Sequence, residues 1–227
     1  MILRTRNNRS FRSYNFKHQI KRNISSIFRN DNKAQNYSVT RILPYESTKL
    51  YKLIADIDSY STFVPFCKYS KITKRYLPDK NGDRWPAQAD LTTGWFAIEE
   101  QFTSRIYCIP NSVVEALSGE VETSLTDNEL LRCSPHIHSK EKSDNTFQYL
   151  RTTWTLKPYQ NSNTTATNTK MNVEQQYFKN QTQVSLNIEF KFLNPLYTLM
   201  SEGYTPKVAR IMIEAFQKRA YDLLREK

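Results

Sequence analysis

Residues 91–106, LTTGWFAIEEQFTSRI, set a carboxylate among apolar neighbours. Read with a period of two, Phe96, Ile98, Phe102 and Ile106 share one face and Glu100 shares it with them. Glu99, Gln101, Thr103 and Arg105 fall on the other face. The pattern predicts a strand with Glu100 pointing inward. A buried, ionised carboxylate costs several kcal/mol unless something answers it. The expected answer is a basic side chain, a bound water or the polar head of a ligand. Arg41, in phase with Val39 and Leu43, and Lys68 are the candidate basic partners. A purely structural Arg41–Glu100 pair satisfies the same pattern. Toward a ligand, Glu100 would accept from a hydroxyl or, when protonated, donate to a carbonyl.

No other spacing carries chemistry. The chain has no GxSxG, P-loop or HExxH motif, and Glu99 and Glu100 lie on opposite strand faces, so they cannot work as an acid/base pair. Cys133, His136 and His138 form a C-x-x-H-x-H cluster without a nearby fourth ligand, and no metal site is expected. Three cysteines with no CxxC spacing argue against a disulfide framework. No apolar run approaches the roughly 18 residues of a transmembrane helix.

The net charge of +11 is unevenly spread. Residues 1–36 hold nine basic residues and one acid, Asp31, which leaves residues 37–227 at only +3. An Arg-rich, acid-poor start containing Ser, Asn, Ile and Phe resembles a mitochondrial targeting sequence, cut between Arg22 and Asn36. A disordered basic arm is the alternative. Nucleic acid is not the favoured partner, because residues 37–227 lack a basic run interleaved with aromatics.

The elements that must position Glu100 follow from periodicity. Residues 37–43 read as a strand, and Ser47 as the cap of a helix with Leu50, Leu53, Ile54 and Ile57 on one face. Residues 60–66 (YSTFVPF) are aromatic and broken by proline; they either pack across that helix or form a lid whose Phe63 and Phe66 dip into a bilayer interface. Strands follow over 68–76 and 85–93, joined by the Asn-Gly turn of residues 78–82. Further strands are expected at 96–108, 112–117, 147–156 and 182–192, with a polar loop over 118–145 that holds at most a brief strand. Residues 159–181 are Asn/Thr-rich and read as an insertion. Asn194 and Pro195 open a final helix, interrupted near Gly203 and Thr205-Pro206, whose stripe includes Met200, Val208, Ile211, Met212, Ala215, Phe216 and Leu223.

The expected architecture is α+β: a curved antiparallel sheet of six to seven strands wrapped around a long C-terminal helix. Ala87 and Ala89 lie on its apolar face, where larger residues normally fill space. Opposite flexible Met200 and Met212 they suit an adaptable cavity, unless Trp85 and Trp154 fill the room.

The segments LPYESTKLYKLIADIDSYSTFVPFCKYSKI (43–72), ADLTTGWFAIEEQFTSRI (89–106), VSLNIEFKFLNPLY (184–197) and MIEAFQKRA (212–220) together resemble the START-like superfamily. Within it they are most similar to the mitochondrial coenzyme Q-binding protein family, related to bacterial polyketide cyclase-type proteins. The likeness covers roughly 37–117 and 147–227; the 159–181 insertion and the 203–206 break depart from it. The resemblance implies a helix-grip fold over residues 37–227. It further implies a non-catalytic protein that binds ubiquinone and supports respiration and ubiquinone biosynthesis. Such a protein would lie peripherally on the matrix side of the mitochondrial inner membrane and pass its ligand to respiratory or biosynthetic complexes. The residues expected to line the site are Phe63, Phe66, Ala87, Ala89, Leu91, Phe96, Glu100, Phe102, Trp154, Phe192, Met200 and Met212. Two other readings remain open: a cyclase-like enzyme using the same cavity with Glu100 as acid/base, and a ribosome-binding protein.

Overall fold

In the computed structural model the described residues are 34–95, 98–131, 133, 147–159, 181–193 and 205–225. All fall within the unit Ala34–Lys227. In chain order the elements are β1 (Gln35–Leu43), α1 (Ser47–Ala55), a 3-10 turn (Ile57–Ser59), α2 (Tyr60–Phe63), β2 (Cys67–Arg75), β3 (Pro86–Trp95), β4 (Ile98–Ile109), β5 (Val113–Gly119), α3 (Asp127–Leu130), β6 (Phe147–Pro158), β7 (Thr182–Phe192) and α4 (Thr205–Leu224).

The strands form one antiparallel sheet in the order β1-β7-β6-β5-β4-β3-β2. Strands β1 and β2 are consecutive in sequence yet occupy opposite edges, so α1 and α2 must cross one face of the sheet between them. α1 packs over β5 and β6, and α4 over β1 and β7; the two helices also meet each other. This helix-covered side is the inner face. β7 shows the sequence logic most plainly: Val184, Leu186, Ile188, Phe190 and Phe192 are buried on the inner face, and the residues between them are half-buried.

The β2–β3 hairpin closes as its Asn-Gly signal requires. Gly82 takes φ of 83°, a region that favours glycine, and donates its N–H to the Asp79 carbonyl at 2.9 Å. The Asp79 carboxylate accepts from the amides of Asn81 and Asp83 and from the Trp85 indole at 2.9 Å. The Trp85 bond is the main reason its carboxyl is held below the ordinary range.

Three expectations need correction. Ser47 is the first residue of α1 and not its cap; Glu46 holds that place, and its side chain makes no capping bond. The described part of the polar segment after β5 holds the short helix α3 where a loop with at most a brief strand was expected. Thr126 and Glu129 close a capping box at its start, a T-x-x-E signal that was present in the sequence. The buried face of α4 is Ala209, Ile213, Phe216 and Ala220, rotated from the expected stripe, and Leu223 is 56% exposed. Val208, Ile211, Met212 and Ala215 flank that face half-buried. The expected helix start at Asn194-Pro195, Gly203, most of the 159–181 insertion, His136 and His138 lie outside the described residues.

The outer face carries a second, smaller core of Ile109, Val113 and Cys133, packed by Tyr107 and Leu125. Beside it sits a carboxylate that is 0% exposed, Glu115 on β5. It accepts hydrogen bonds from the hydroxyls of Thr123 and Ser124, from the Ser124 amide at 3.2 Å and from Thr153 at 3.2 Å. The Arg151 guanidinium lies 4.0 Å away. Arg151 also bonds Glu189 at 2.9 Å and the Glu122 carbonyl at 2.7 Å. Glu115 therefore clamps residues 122–124 onto the sheet. Removing it leaves several half-buried donors without their acceptor at once. Glu115→Ala should lower unfolding free energy by about 2–4 kcal/mol, read by urea titration, and open residues 120–131 to proteolysis. A loss below about 1 kcal/mol would contradict the clamp.

Candidate functional site on the inner face

Exposure on the inner face changes along the strands. Toward one end Ile106 and Cys108 on β4, Ala87 and Ala89 on β3, and Trp154 and Leu156 on β6 are buried. Toward the β3–β4 turn their in-phase neighbours are half-buried: Phe102 and Glu100 on β4, Leu91 and Thr93 on β3, Thr152 and Leu150 on β6. The face is thus dry at one end and partly open at the other.

Aromatic rings gather at the partly open end. Phe147 stacks on Phe192 at 4.9 Å and meets Phe190 and Phe102 edge-on at 5.9 and 6.5 Å. Tyr37 extends the cluster by stacking on Phe190 at 6.5 Å. The floor between is built from small residues: Ala87, Ala89, Ser104, Ala116, Ser118 and Thr152. Ser104 and Ser118, in register across β4 and β5, bring their hydroxyls to 2.8 Å.

The opposite wall is latched by Phe216 of α4. It meets Trp154 at 4.5 Å, Phe63 at 5.0 Å and Tyr60 at 5.1 Å. The Arg219 guanidinium lies over the Phe63 ring at 5.3 Å. Tyr60 donates its hydroxyl to the Ile54 carbonyl, and burial pushes that phenol well above its ordinary range. The segment that joins α1 to β2 is thereby fastened to the C-terminal helix. It ends at Phe66, which is 44% exposed and has a φ of 67°. A bulky residue in that region is strained. Its carbonyl accepts the Gly94 amide at 2.8 Å, which fixes the strained turn against β3.

Most of the expected site residues come together. Ala87, Ala89, Leu91, Glu100, Phe102, Trp154 and Phe192 share the inner face, and Met212 packs against its core. Phe63 contacts the helix latch, and Phe66 points to solvent beside the partly open end. Phe96 and Met200 lie outside the residues whose side chains are described.

The expected basic partners of Glu100 do not pair with it. Lys68 binds Glu99 on the outer face, lying across Gly94, where a Cβ would collide with the lysine chain. Arg41 bonds the Thr40 carbonyl at 3.0 Å and stands in register with Val184, toward the dry end of the sheet. Glu100 is half-buried and reaches solvent, so it needs no buried cation. Among the described residues it has no hydrogen bond or ion pair.

Phe147, Ser104 and Ser118 were not anticipated. A register shift between Phe147 and Tyr149 puts Phe147 on the inner side against simple alternation. The two serines sit in phase with apolar neighbours, but hydrophobic patterning skips polar types. Chemically the face binds more readily than it reacts. Glu100 is the only carboxylate on the strands' inner face among the described residues. Burial pushes the Cys108 thiol up to about 12, so it is no nucleophile near neutral pH.

Residues 43–217 match the family model described as polyketide cyclase / dehydrase and lipid transport. Related chains include several mitochondrial coenzyme Q-binding proteins. That of Schizosaccharomyces pombe is 28% identical over 184 residues, 81% of this chain and 85% of the relative. A ribosome association toxin from Rickettsia prowazekii is 24% identical over 84% of this chain and 99% of its own. Among solved structures, a START superfamily protein from Mycobacterium smegmatis superposes with a TM-score of 0.55 at 13% identity, covering 83% of this chain and 98% of that one. The fold is therefore START-like, and the chain belongs to the polyketide cyclase / dehydrase and lipid transport family.

Proposed function

We propose that the chain is a non-catalytic carrier that holds coenzyme Q against the inner face of its sheet. The observation that carries this reading is the small-residue floor leading to a half-open ring of phenylalanines, in a chain whose relatives include named coenzyme Q-binding proteins. A polyprenyl quinone suits that surface: each buried CH₂ of its tail contributes about 0.8 kcal/mol, and its head is small, flat and uncharged. Glu100 stands at the rim with no hydrogen bond or ion pair among the described residues, placed to meet the polar head as it passes.

Residues 1–36 would direct the protein to mitochondria. No described helix is long and apolar enough to cross a membrane. The proposed place of work is peripheral, on the matrix side of the inner membrane, where the carrier supplies respiratory and quinone-biosynthetic complexes. Phe66 supports the bilayer as donor of the ligand. Its ring is 44% exposed on a strained backbone beside the half-open end, where an apolar side chain can meet lipid.

The full chain, purified from a quinone-producing host and extracted with organic solvent, should yield near-stoichiometric ubiquinone by mass spectrometry. Protein that is empty or filled with phospholipid would contradict the reading. A chemically altered product would favour an enzyme, and salt-sensitive co-sedimentation with ribosomes would favour a role like that named for the Rickettsia relative. Glu100→Lys should stay folded while its quinone content falls; unchanged content removes Glu100 from the site.

Flotation with anionic liposomes tests the membrane contact. Phe63→Ser/Phe66→Ser should float less than the parent chain. Equal flotation would leave those rings a packing role only.

A further inference from the structure

The Ser104–Ser118 pair contains one more donor than it can use. Both side chains are nearly dry, at 3% and 7% exposure, and their oxygens lie 2.8 Å apart. Two hydroxyls carry two protons, and one hydrogen bond between them consumes one. Neither residue has another hydrogen-bond partner among the described residues. Their row across the sheet is Ile72, Ala89, Ser104, Ser118, Leu150, Phe190 and, at the β1 edge, Gln35, so the pair is flanked on both sides by apolar residues. A buried donor without an acceptor is destabilising.

We infer that the spare hydroxyl proton of Ser104–Ser118 is donated to a carbonyl oxygen of the bound lipid's head, making this pair the head's positioning site. This rests on the reading of the inner face as a polyprenyl-quinone site and adds the orientation of the ligand within it. The pair is uncharged, so it does not offset the burial of a carboxylate or a phosphate. It selects a neutral acceptor with an apolar body, and a quinone ring fits that description. The neighbours Ala89 and Ala116 carry single-carbon side chains, the smallest bulk an approaching ring could meet beside the hydroxyls. Glu100 lies four residues along β4 from Ser104, about 13 Å away. That is farther than a quinone ring is wide, so a head seated on the serines leaves Glu100 at the rim. The tail then runs out past Phe102, Phe147 and Phe192 toward the half-open end.

The test uses the full chain loaded with a short-tailed ubiquinone labelled with carbon-13 at its carbonyls, read by difference infrared spectroscopy. In the parent protein one carbonyl band should lie below its position in alkane solvent, the mark of an accepted hydrogen bond. In S104A/S118A that band should return to the alkane position while quinone is still bound. Affinity for the quinone should fall about tenfold, as expected for one neutral hydrogen bond, and affinity for a polyprenyl hydrocarbon of equal length should not change. Ser118→Thr, which keeps the hydroxyl, should retain the shifted band, and S104C/S118C, whose thiols donate only weakly, serves if the alanine double variant does not fold. Identical bands in parent and alanine variants, both holding quinone, would overturn the inference and leave the carrier reading intact. A parent protein that binds no quinone would overturn both.

Discussion

The inner face is governed by a shortage of side-chain volume on its middle strands. Ala87, Ala89, Ser104, Ala116 and Ser118 present little bulk, while α1 and α4 rest mainly over β5, β6, β7 and β1. Close packing is recovered at one end by Trp85, Trp154, Tyr51 and Phe216. At the other end it is not: Leu91, Phe102, Phe147 and Leu150 stay half-buried. An apolar surface left partly wet costs stability in proportion to its area, and a lipid that covers it restores that loss. Binding is in this sense the completion of a core.

The two faces handle charge in opposite ways. On the outer face Glu115 is enclosed by the hydroxyls, amide and guanidinium that hold residues 122–124 against the sheet. On the inner face Glu100 keeps contact with solvent and makes no hydrogen bond or ion pair among the described residues. A carboxylate enclosed by donors is structural, since it has no acceptor capacity left over. One at the rim of an apolar surface retains that capacity for a ligand.

Much of this was legible in the sequence. Strong alternation located β7 to the residue and put Ala87, Ala89, Leu91, Phe102, Trp154 and Phe192 on one face, because a period of two is unmistakable over eleven residues. The errors have several causes. Hydrophobicity ranks residues by size, so the α4 stripe was drawn through Leu223 and missed Ala209 and Ala220, which are buried. The same weighting passed over Ser104 and Ser118. Period two assigns a face but not a depth, and so Glu100 was expected to be buried and answered by a base, a water or a ligand head, while the enclosed carboxylate is Glu115. A single register shift in β6 hid Phe147. Pairing across strands decides the points on the sheet, and the packing of α4 against β1 and β7 decides the helix face; both lie beyond any local pattern.

The central claim is that a polyprenyl quinone lies on the inner face. The most direct measurement is photo-crosslinking of the full chain with a polyprenyl quinone bearing a photoactivatable group in its tail, followed by peptide mapping. The account predicts adducts on Leu91, Phe102, Phe147, Leu150 or Phe192, abolished by excess unlabelled ubiquinone. Adducts confined to the outer face, or unaffected by competitor, would contradict it.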